Sequence, residues 1–183
     1  MLALKQHNKM LEATRDVMFS SESGQWDTPK EMILEIERFF GEIVLDPCAS
    51  ENNPRWTGAF RHYTKSDDGL KHVWFAQTVY VNPPYGREIK KWIKKANEEY
   101  LSKRAVEILL LLPARVDTKW WNQIRYYPVC FIKGRLKFGG HENSAPFPSA
   151  LVYMGNRETE FLTWSLGLGS TYRPVKSWDD YTE

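Results

Sequence analysis

The stretch VEILLLLP at 106–113 limits the fold of this chain more than any other part of the sequence. A strand with one face in solvent alternates apolar and polar residues, whereas Ile108–Leu112 is aliphatic throughout. Such a run needs apolar cover on both faces, which a central strand of a parallel sheet receives from two layers of helices. We therefore expect it to form the middle of a three-layer α/β domain.

A helix is predicted over 28–40. Thr28 is a suitable N-cap, Pro29 suits the first turn, and Glu31 completes a capping box. The apolar residues that follow share one helical face: Met32, Ile33, Ile36, Phe39 and Phe40. Gly41 is a suitable end for this helix.

Strands and helices alternate along the rest of the chain. Short buried strands are predicted at EIVLDP (42–47), TVYVNPP (78–84), VCFIKG (129–134) and SALVYM (149–154). A helix is predicted over 88–101, with an apolar side made of Ile89, Trp92, Ile93, Ala96 and Tyr100, and a shorter capped helix over 117–124. This alternation is typical of an α/β fold with a mostly parallel sheet and helices on both faces.

Two of the predicted strands end in a polar residue followed by proline. Asp46-Pro47 closes the first strand, and Asn82-Pro83-Pro84-Tyr85 closes the second. In open α/β sheets, ligands bind outside the carboxyl ends of the strands. Two prolines in series fix two φ angles and remove two donors, so the second loop should be rigid, with carbonyl groups that point into the cleft.

The Asn-Pro-Pro-Tyr loop has the groups needed to hold a planar exocyclic amine. The side-chain oxygen of Asn82 and the carbonyl of Pro83 can each accept one N–H, and Tyr85 can stack on the attached ring. The amine is a poor nucleophile because its lone pair is delocalised. Acceptors that draw its hydrogens out of conjugation stabilise a tetrahedral nitrogen, and hence the transition state. A plain turn with a packed tyrosine is the alternative, but the full tetrapeptide after a buried strand favours catalysis.

Positive charge is concentrated locally, although the net charge of the chain is only +2. The basic runs lie at 87–95, 102–104 and 133–137. Runs of this kind commonly belong to solvated helix faces. Because Trp92 and Phe138 lie among the basic residues, the pattern also fits a nucleic-acid partner.

Cysteine and histidine usage argues against a metal site. Cys48 and Cys130 are far apart and the histidines are scattered, so we expect neither a disulfide framework nor a metal centre. No signal peptide and no apolar run of membrane-spanning length can be identified, which predicts a soluble protein in a reducing cytoplasm with no membrane partner.

Seven motifs follow one another in register: QWDTP, LDPCAS, DDGL, VNPPYG, LLPARVDTKWW, GRLKFGG and SAPFPSALV. With these motifs the chain resembles, from about Gln25 to about Tyr153, the small phage-type DNA N6-adenine methyltransferases, the Dam family of phages and prophages. The resemblance implies a Rossmann-like methyltransferase fold, S-adenosylmethionine as methyl donor, and methylation of a flipped-out adenine at N6 in duplex DNA. It also implies short target sites such as GATC and a location in the cytoplasm of a bacterial host.

The resemblance also assigns roles by position. Asn82, Pro83, Pro84 and Tyr85 correspond to the catalytic motif, and Asp46 to a carboxylate near the methionine amino end of the cofactor. The residues implied to contact the cofactor are Trp26, Asp27, Thr28, Pro29, Asp46, Pro47, Cys48, Ala49, Asp68 and Leu70. Asp68 would accept a hydrogen bond from the cofactor's adenine amine, although the neighbouring Asp67 fits about equally well.

The chain departs from the wider methyltransferase pattern in two places. LDPCAS lacks the glycine that most such enzymes carry after the first strand. The acidic residue expected to bind the ribose hydroxyls has no clear match beyond Glu51.

An adenine inside a duplex must be extruded before it can enter a deep cleft. Tyr85 is predicted to stack on one face of the extruded base and Phe138 on the other, with core packing as the alternative for Phe138. Phosphate contacts are predicted for Arg87, Lys90, Lys91, Lys94, Arg135 and Lys137. Base reading is expected from the loops at 51–66 and 134–148 and from Arg115 and Asp117.

Residues 1–20 are predicted to be a partly ordered lead-in, and 21–183 one methyltransferase domain without a separate target-recognition domain. We expect a monomer or a weak dimer. Three alternatives stay open: methylation of an RNA adenine, methylation of a protein glutamine, and DNA binding without catalysis. The basic, aromatic loops favour nucleic acid over protein, and the intact tetrapeptide favours catalysis.

Overall fold

The computed structural model describes residues 26–140 and 144–175, so the predicted lead-in at 1–20 lies outside the described part. Seven strands are present there: β1 (Leu45–Asp46), β2 (Arg61–His62), β3 (Ala76–Val81), β4 (Ala105–Pro113), β5 (Val129–Ile132), β6 (Ser149–Met154) and β7 (Gly169–Tyr172). The α-helices are α1 (Lys30–Phe40), α2 (Ile89–Leu101) and α3 (Glu158–Ser165). Short 3₁₀ helices cover Trp121–Gln123 and Phe138–Gly140.

The strands form one mixed sheet in the order β2-β1-β3-β4-β6-β5-β7. The pairs β1/β2, β1/β3 and β3/β4 are parallel, whereas β4/β6, β5/β6 and β5/β7 are antiparallel. The prediction of a mostly parallel sheet is therefore wrong. Parallel neighbours need a crossover connection, usually a helix. The described residues between β5 and β6 form no α-helix, and β6 returns antiparallel to β5.

Helices cover both faces of the sheet, as predicted. Helix α2 packs on the face that contains Val81 and Leu110, and helices α1 and α3 pack on the face that contains Tyr80 and Leu109. Strand β4 lies in the middle, and every side chain of Ile108–Leu112 is fully buried. The unbroken aliphatic run thus lies where the sequence places it, between two apolar layers.

Helix α1 begins without the predicted cap. Its N-cap position is Pro29, and no described side chain caps it, so the capping roles of Thr28 and Glu31 are wrong. The Thr28 hydroxyl turns inward instead, towards the end of β3, where it contacts Tyr80 and Asn82. A threonine hydroxyl can bond several local partners, and here buried side chains take the place of the first helical turn.

Helix α3 and strand β7 were not identified from the sequence, and an ion pair with a buried carboxylate anchors α3. Arg157 precedes the helix, and its Nη2 donates to Oε2 of Glu107 over 2.9 Å. The Tyr153 hydroxyl donates to the same Glu107 oxygen over 2.6 Å. Arg157 also donates to the carbonyl of Phe39 at the end of α1, so one guanidinium joins α1, β4 and α3.

Of the helices in the described ranges, none is both long enough and apolar enough to cross a membrane.

We expect Arg157→Ala to lower the free energy of unfolding by about 3 kcal/mol, because it leaves the Glu107 carboxylate buried without its cation. The matched control is Arg38→Ala, which removes an ion pair with Glu35 in which the arginine side chain is 70% exposed. That change should cost less than about 1 kcal/mol. Urea denaturation of both variants measures the two losses, and equal losses would contradict the anchoring role of Arg157.

Candidate active site

The carboxyl ends of β1 and β3 lie side by side and carry the two polar motifs. Leu45 of β1 pairs with Val79 of β3, which brings Asp46 close to the residues that lead into Asn82. Strand β2 lies on one side of β1 and β3 on the other, so the strand order reverses at this point. Open α/β sheets bind their ligands in the crevice at such a reversal.

The side chain of Asn82 is held by its nitrogen. Its Nδ2 donates to the carbonyl oxygen of Trp26 and, over 3.0 Å, to Oγ1 of Thr28. Its Oδ1 is buried and has no hydrogen-bond partner among the described residues. A buried acceptor without a partner costs about 1–3 kcal/mol, so its presence calls for an explanation. The site holds the amide with its acceptor unused.

Tyr80 supports this arrangement from the strand. Its hydroxyl lies 2.6 Å from Oγ1 of Thr28, and both side chains are buried. Burial raises the pKa of Tyr80 well above its ordinary value, so the phenol keeps its proton. This contact could not be expected from the sequence, because a tyrosine in an apolar strand is usually a core residue.

Asp46 is a buried carboxylate with two protein donors. Its Oδ1 accepts from the backbone N–H of Cys48 and its Oδ2 from the Thr57 hydroxyl, both over 2.9 Å. Burial raises the pKa of Asp46 to about 6, against the effect of these two hydrogen bonds, and the charge of Asp27 raises it further. The same burial, with the charge of Asp46, raises the pKa of the Cys48 thiol. Two carboxylates so close together suit a cationic ligand.

A small pocket of about 20 Å³ joins these groups. Its lining includes four of the predicted residues, Trp26, Asp27, Thr28 and Asp46, together with Asn82. The sequence did not single out the other residues that line it: Ser50, Trp56, Thr57 and Tyr80. Of these, Trp56 donates from Nε1 to the carbonyl of Thr28 over 2.6 Å and so fixes the segment before α1.

Cys48 also lines a larger cleft of about 250 Å³. The predicted residues Pro47, Cys48, Ala49, Asp68, Leu70 and Pro84 lie around it, with Thr64, Lys65, Gly69, Glu88 and Trp92. Pro29 lies at the start of α1 and is not part of this lining. The cleft therefore collects half of the cofactor residues implied by the resemblance, together with Pro84 of the tetrapeptide.

Asp67 and Asp68 lie next to each other in the loop at 64–70, but their side chains have different surroundings. Asp67 accepts hydrogen bonds from the N–H and the hydroxyl of Thr64, which hold the loop together and lower its pKa. Asp68 faces the cleft, with a left-handed φ of 57°. At Gly69 an added Cβ would lie 2.1 Å from the carbonyl oxygen of Pro47, so only glycine allows the two loops to approach this closely.

Glu51 binds a neighbouring loop and does not line the cleft. Its carboxylate accepts from the Ser66 hydroxyl over 2.8 Å and from the Ser66 N–H over 3.1 Å. These hydrogen bonds lower the pKa of Glu51. Its carboxylate is therefore committed to Ser66, and the role at the ribose remains a prediction without support from its position.

Four aromatic rings meet beside the tetrapeptide. Tyr85 packs edge-on against Phe138 and Phe147, with ring centroids 6.1 and 5.4 Å apart, and Trp26 packs edge-on against the same two rings. Phe138 is only 1% exposed, so it belongs to the core and offers no open face to a base. Its buried position favours the core-packing alternative. Phe147 is half-buried in the same cluster, and its place in SAPFPSALV was the only sequence signal for it.

The predicted basic residues differ in their surroundings. Lys91 pairs with Glu88 over 2.5 Å, and Lys94 pairs with Glu98 over 3.6 Å, both on the exposed face of α2. Arg135 and Lys137 are exposed in the loop that follows β5, and they form no salt bridge with the described residues. The remaining residues that were predicted to contact phosphates or bases are also exposed: Arg87, Lys90, Arg115 and Asp117.

No cluster of three or more metal-ligating His, Cys, Asp or Glu side chains occurs within 26–140 and 144–175. The predicted absence of a metal stays a prediction.

A family model described as DNA N-6-adenine-methyltransferase (Dam) matches residues 17–154, a range that includes both Asp46 and Asn82–Tyr85. The DNA N-6-adenine-methyltransferase of Escherichia phage T1 is 34% identical to this chain over 101 residues. The matched part is 55% of this chain and 40% of that protein. The alignment thus spans well under half the length of this curated relative.

The raised pKa of Asp46 should make the free energy of unfolding fall as pH rises. The folded protein holds the Asp46 proton up to about pH 6, whereas the ordinary pKa is 3.8. Between those values the unfolded chain has lost a proton that the folded protein keeps, so stability decreases by up to about 3 kcal/mol. Asp46→Asn cannot titrate, so its stability relative to the parent should rise with pH through this window.

Chemical denaturation at several pH values between 3.5 and 7 measures this difference. Asp67→Asn is the control, because hydrogen bonds lower the pKa of Asp67 from its ordinary value of 3.8 and its contribution is lost only as pH falls below that value. Its stability difference from the parent should therefore change little over most of this range. A stability difference between Asp46→Asn and the parent that does not change with pH would show that the carboxylate is not buried as described.

Proposed function

The chain belongs to the DNA N-6-adenine-methyltransferase (Dam) family, and from this premise we propose that it transfers a methyl group from S-adenosylmethionine to N6 of an adenine in duplex DNA. The observation that carries the proposal is the Asn82 amide, which is held on its nitrogen side and, in the part of the chain that the structure describes, unpaired on its oxygen side. The parallel part of the sheet, with α2 as the crossover between β3 and β4, supports a Rossmann-like fold. We expect the enzyme to act in the cytoplasm of a bacterial host.

The described residues fit the proposed cofactor. S-adenosylmethionine, when bound, supplies a methyl group attached to a positively charged sulfur. Its ammonium group suits the pocket where Asp27 and Asp46 lie close together. Its nucleoside suits the larger cleft, where Asp68 can accept from an adenine amine and Leu70 offers an apolar wall.

Asn82 and Pro83 would prepare the target amine. Oδ1 of Asn82 can accept one N–H, and the Pro83 carbonyl, which accepts no hydrogen bond from the described residues, can accept the other. Because both acceptors favour a tetrahedral nitrogen, they stabilise the transition state more than the ground state. The nitrogen that gains the methyl group becomes acidic and loses one proton to water, so no strong base is required.

The target base must leave the duplex to reach these acceptors. Tyr85 lies directly after the two prolines and is half-buried, so it can stack on the extruded ring. Phe147 is our candidate for the opposing face in place of Phe138, because it lies beside Tyr85 and is not fully buried. The two rings pack edge-on, so they must separate to admit a base between them. Oδ1 of Asn82 has almost no exposed surface, so a base reaches it only after a neighbouring side chain moves.

The carboxyl edge of the sheet is the proposed DNA surface. Strand β5 runs parallel to β3 and β4, so the loop that follows it reaches the edge where Asn82 lies. This loop carries Arg135 and Lys137, and it is tied to the site by the hydrogen bond from Gly139 N–H to the carbonyl of Asp27. Exposed cations on such an edge contact phosphates and position the duplex.

Asn82→Ala should abolish methyl transfer and leave S-adenosylmethionine binding within about twofold of the parent, because the lost acceptor acts mainly in the transition state. Incubation with labelled S-adenosylmethionine and unmethylated duplex DNA, RNA or protein extract measures the transfer and identifies the substrate class. Calorimetric titration measures the binding. Label in RNA or protein but not in DNA would refute the proposed substrate, and turnover of the variant within tenfold of the parent would refute the role of Asn82.

The salt dependence of DNA binding should identify the phosphate contacts. Arg135→Gln together with Lys137→Gln should reduce the slope of log Kd against log salt by roughly two, or one for each lost contact. The matched control changes Lys91 and Lys94 to Gln, and its effect should be smaller because those lysines pair with Glu88 and Glu98. A larger effect for the lysine pair would place the duplex on α2 instead.

A further inference from the structure

We propose that Thr28 and Tyr80 are positioning residues that hold the Asn82 carboxamide in the one orientation that presents its oxygen to the substrate amine. The inference rests on the proposed function, and it assigns to Thr28 a role different from helix capping or cofactor contact. It also gives a reason for asparagine, and not aspartate, at position 82.

The three side chains form a continuous buried chain of hydrogen bonds. The Tyr80 hydroxyl lies 2.6 Å from Oγ1 of Thr28, and Oγ1 of Thr28 lies 3.0 Å from Nδ2 of Asn82. Tyr80 is 0% and Thr28 2% exposed, so bulk water has little access to these groups. Because Thr28 caps no helix, its hydroxyl is committed to these two side chains.

The amide needs such a constraint because its two ends are nearly equal in size. A half-turn about its last bond would exchange oxygen and nitrogen and direct two donors at the substrate amine, which can only repel them. The Trp26 carbonyl opposes this turn, since it can accept but never donate. Thr28 can act in either direction, and the proposal requires that its hydroxyl donates to the Tyr80 oxygen, which lies 2.6 Å away.

A hydroxyl group has one hydrogen and two acceptor lone pairs. When the Thr28 hydroxyl donates its hydrogen to the Tyr80 oxygen, only lone pairs of Thr28 face Asn82. These lone pairs can accept a hydrogen bond from the amide nitrogen but cannot donate to the amide oxygen. Loss of the Tyr80 hydroxyl frees the Thr28 hydrogen to point at Asn82, and the turned amide becomes acceptable. Tyr80 therefore acts on the substrate through two intermediate groups.

The same geometry excludes a carboxylate at position 82. In Asn82→Asp, one oxygen would face the Trp26 carbonyl in the place of Nδ2, and two acceptors would meet. Protonation of that oxygen restores a donor towards Trp26 and leaves the other oxygen as the acceptor for the substrate. The variant should therefore recover activity as pH falls.

The first test compares Thr28→Val and Tyr80→Phe with the parent in single-turnover methylation of duplex DNA at saturating cofactor and DNA. Each variant should lower the rate about tenfold or more, which corresponds to the loss of one hydrogen-bonded constraint. The dissociation constant for S-adenosylmethionine, measured by calorimetry, should stay within about twofold. Thr28→Ser keeps the hydroxyl and should restore most of the rate.

Matched controls separate positioning from loss of stability. Thr78→Val removes another buried threonine hydroxyl, which donates to the Glu42 carbonyl over 2.6 Å. Tyr153→Phe removes another fully buried tyrosine hydroxyl, which donates to Glu107. Both controls should lower stability and leave the methylation rate within about twofold of the parent, since neither hydroxyl reaches Asn82. If the loss of methylation rate is proportional to the loss of stability in all four variants, the proposal is overturned.

The second test measures the rate of Asn82→Asp relative to the parent between pH 5.5 and 8.5. The ratio should rise as pH falls, by about tenfold for each unit above the pKa of the new carboxyl group. A ratio that is near one at pH 8, or that does not change with pH, would overturn the proposal. A parent protein that methylates no DNA in either test would instead refute the proposed function.

Discussion

The hydrogen bond from Asn82 to the carbonyl of Trp26 is the constraint on which the site depends. It joins the end of β3 to the segment before α1, and a backbone carbonyl permits only a donor opposite it. The orientation of the amide and its unused acceptor both follow from that one contact. The rigid prolines then fix where the carbonyl of Pro83 and the ring of Tyr85 lie.

Two polar groups of the site are buried at a cost in stability, and a bound ligand can remove that cost. Oδ1 of Asn82 is buried without a partner among the described residues, and the Asp46 carboxylate is buried beside the charge of Asp27. Each arrangement costs stability in the free protein. An amine that donates to Asn82 and a cation beside Asp46 would remove both costs, so binding is favoured by what the fold leaves unsatisfied. The buried pair of Glu107 and Arg157 elsewhere in the sheet is fully satisfied and has no such role.

The sequence predicted the parts that depend on local pattern and missed those that depend on distant contacts. The aliphatic run of β4, the apolar face of α1 and the strand-end location of Asp46 and Asn82 all follow from periodicity and from the position of proline.

The capping role of Thr28 was wrong because Tyr80 and Asn82, more than 50 residues away, bind its hydroxyl. The predicted parallel direction of β6 was wrong because the described residues of the connection before it form no crossover helix. The sequence could not show whether Phe138 is buried or exposed, since its burial depends on Trp26, Tyr85 and Phe147 together.

A crystal structure with a cofactor analogue and a duplex that the enzyme methylates would test the central claim most directly. We expect the N6 atom of an extruded adenine to lie within about 3.2 Å of Oδ1 of Asn82 and of the Pro83 carbonyl oxygen. Nδ2 of Asn82 should still donate to the carbonyl of Trp26. An adenine bound elsewhere, or an Asn82 amide that has turned away from Trp26 to donate to the base, would contradict the account.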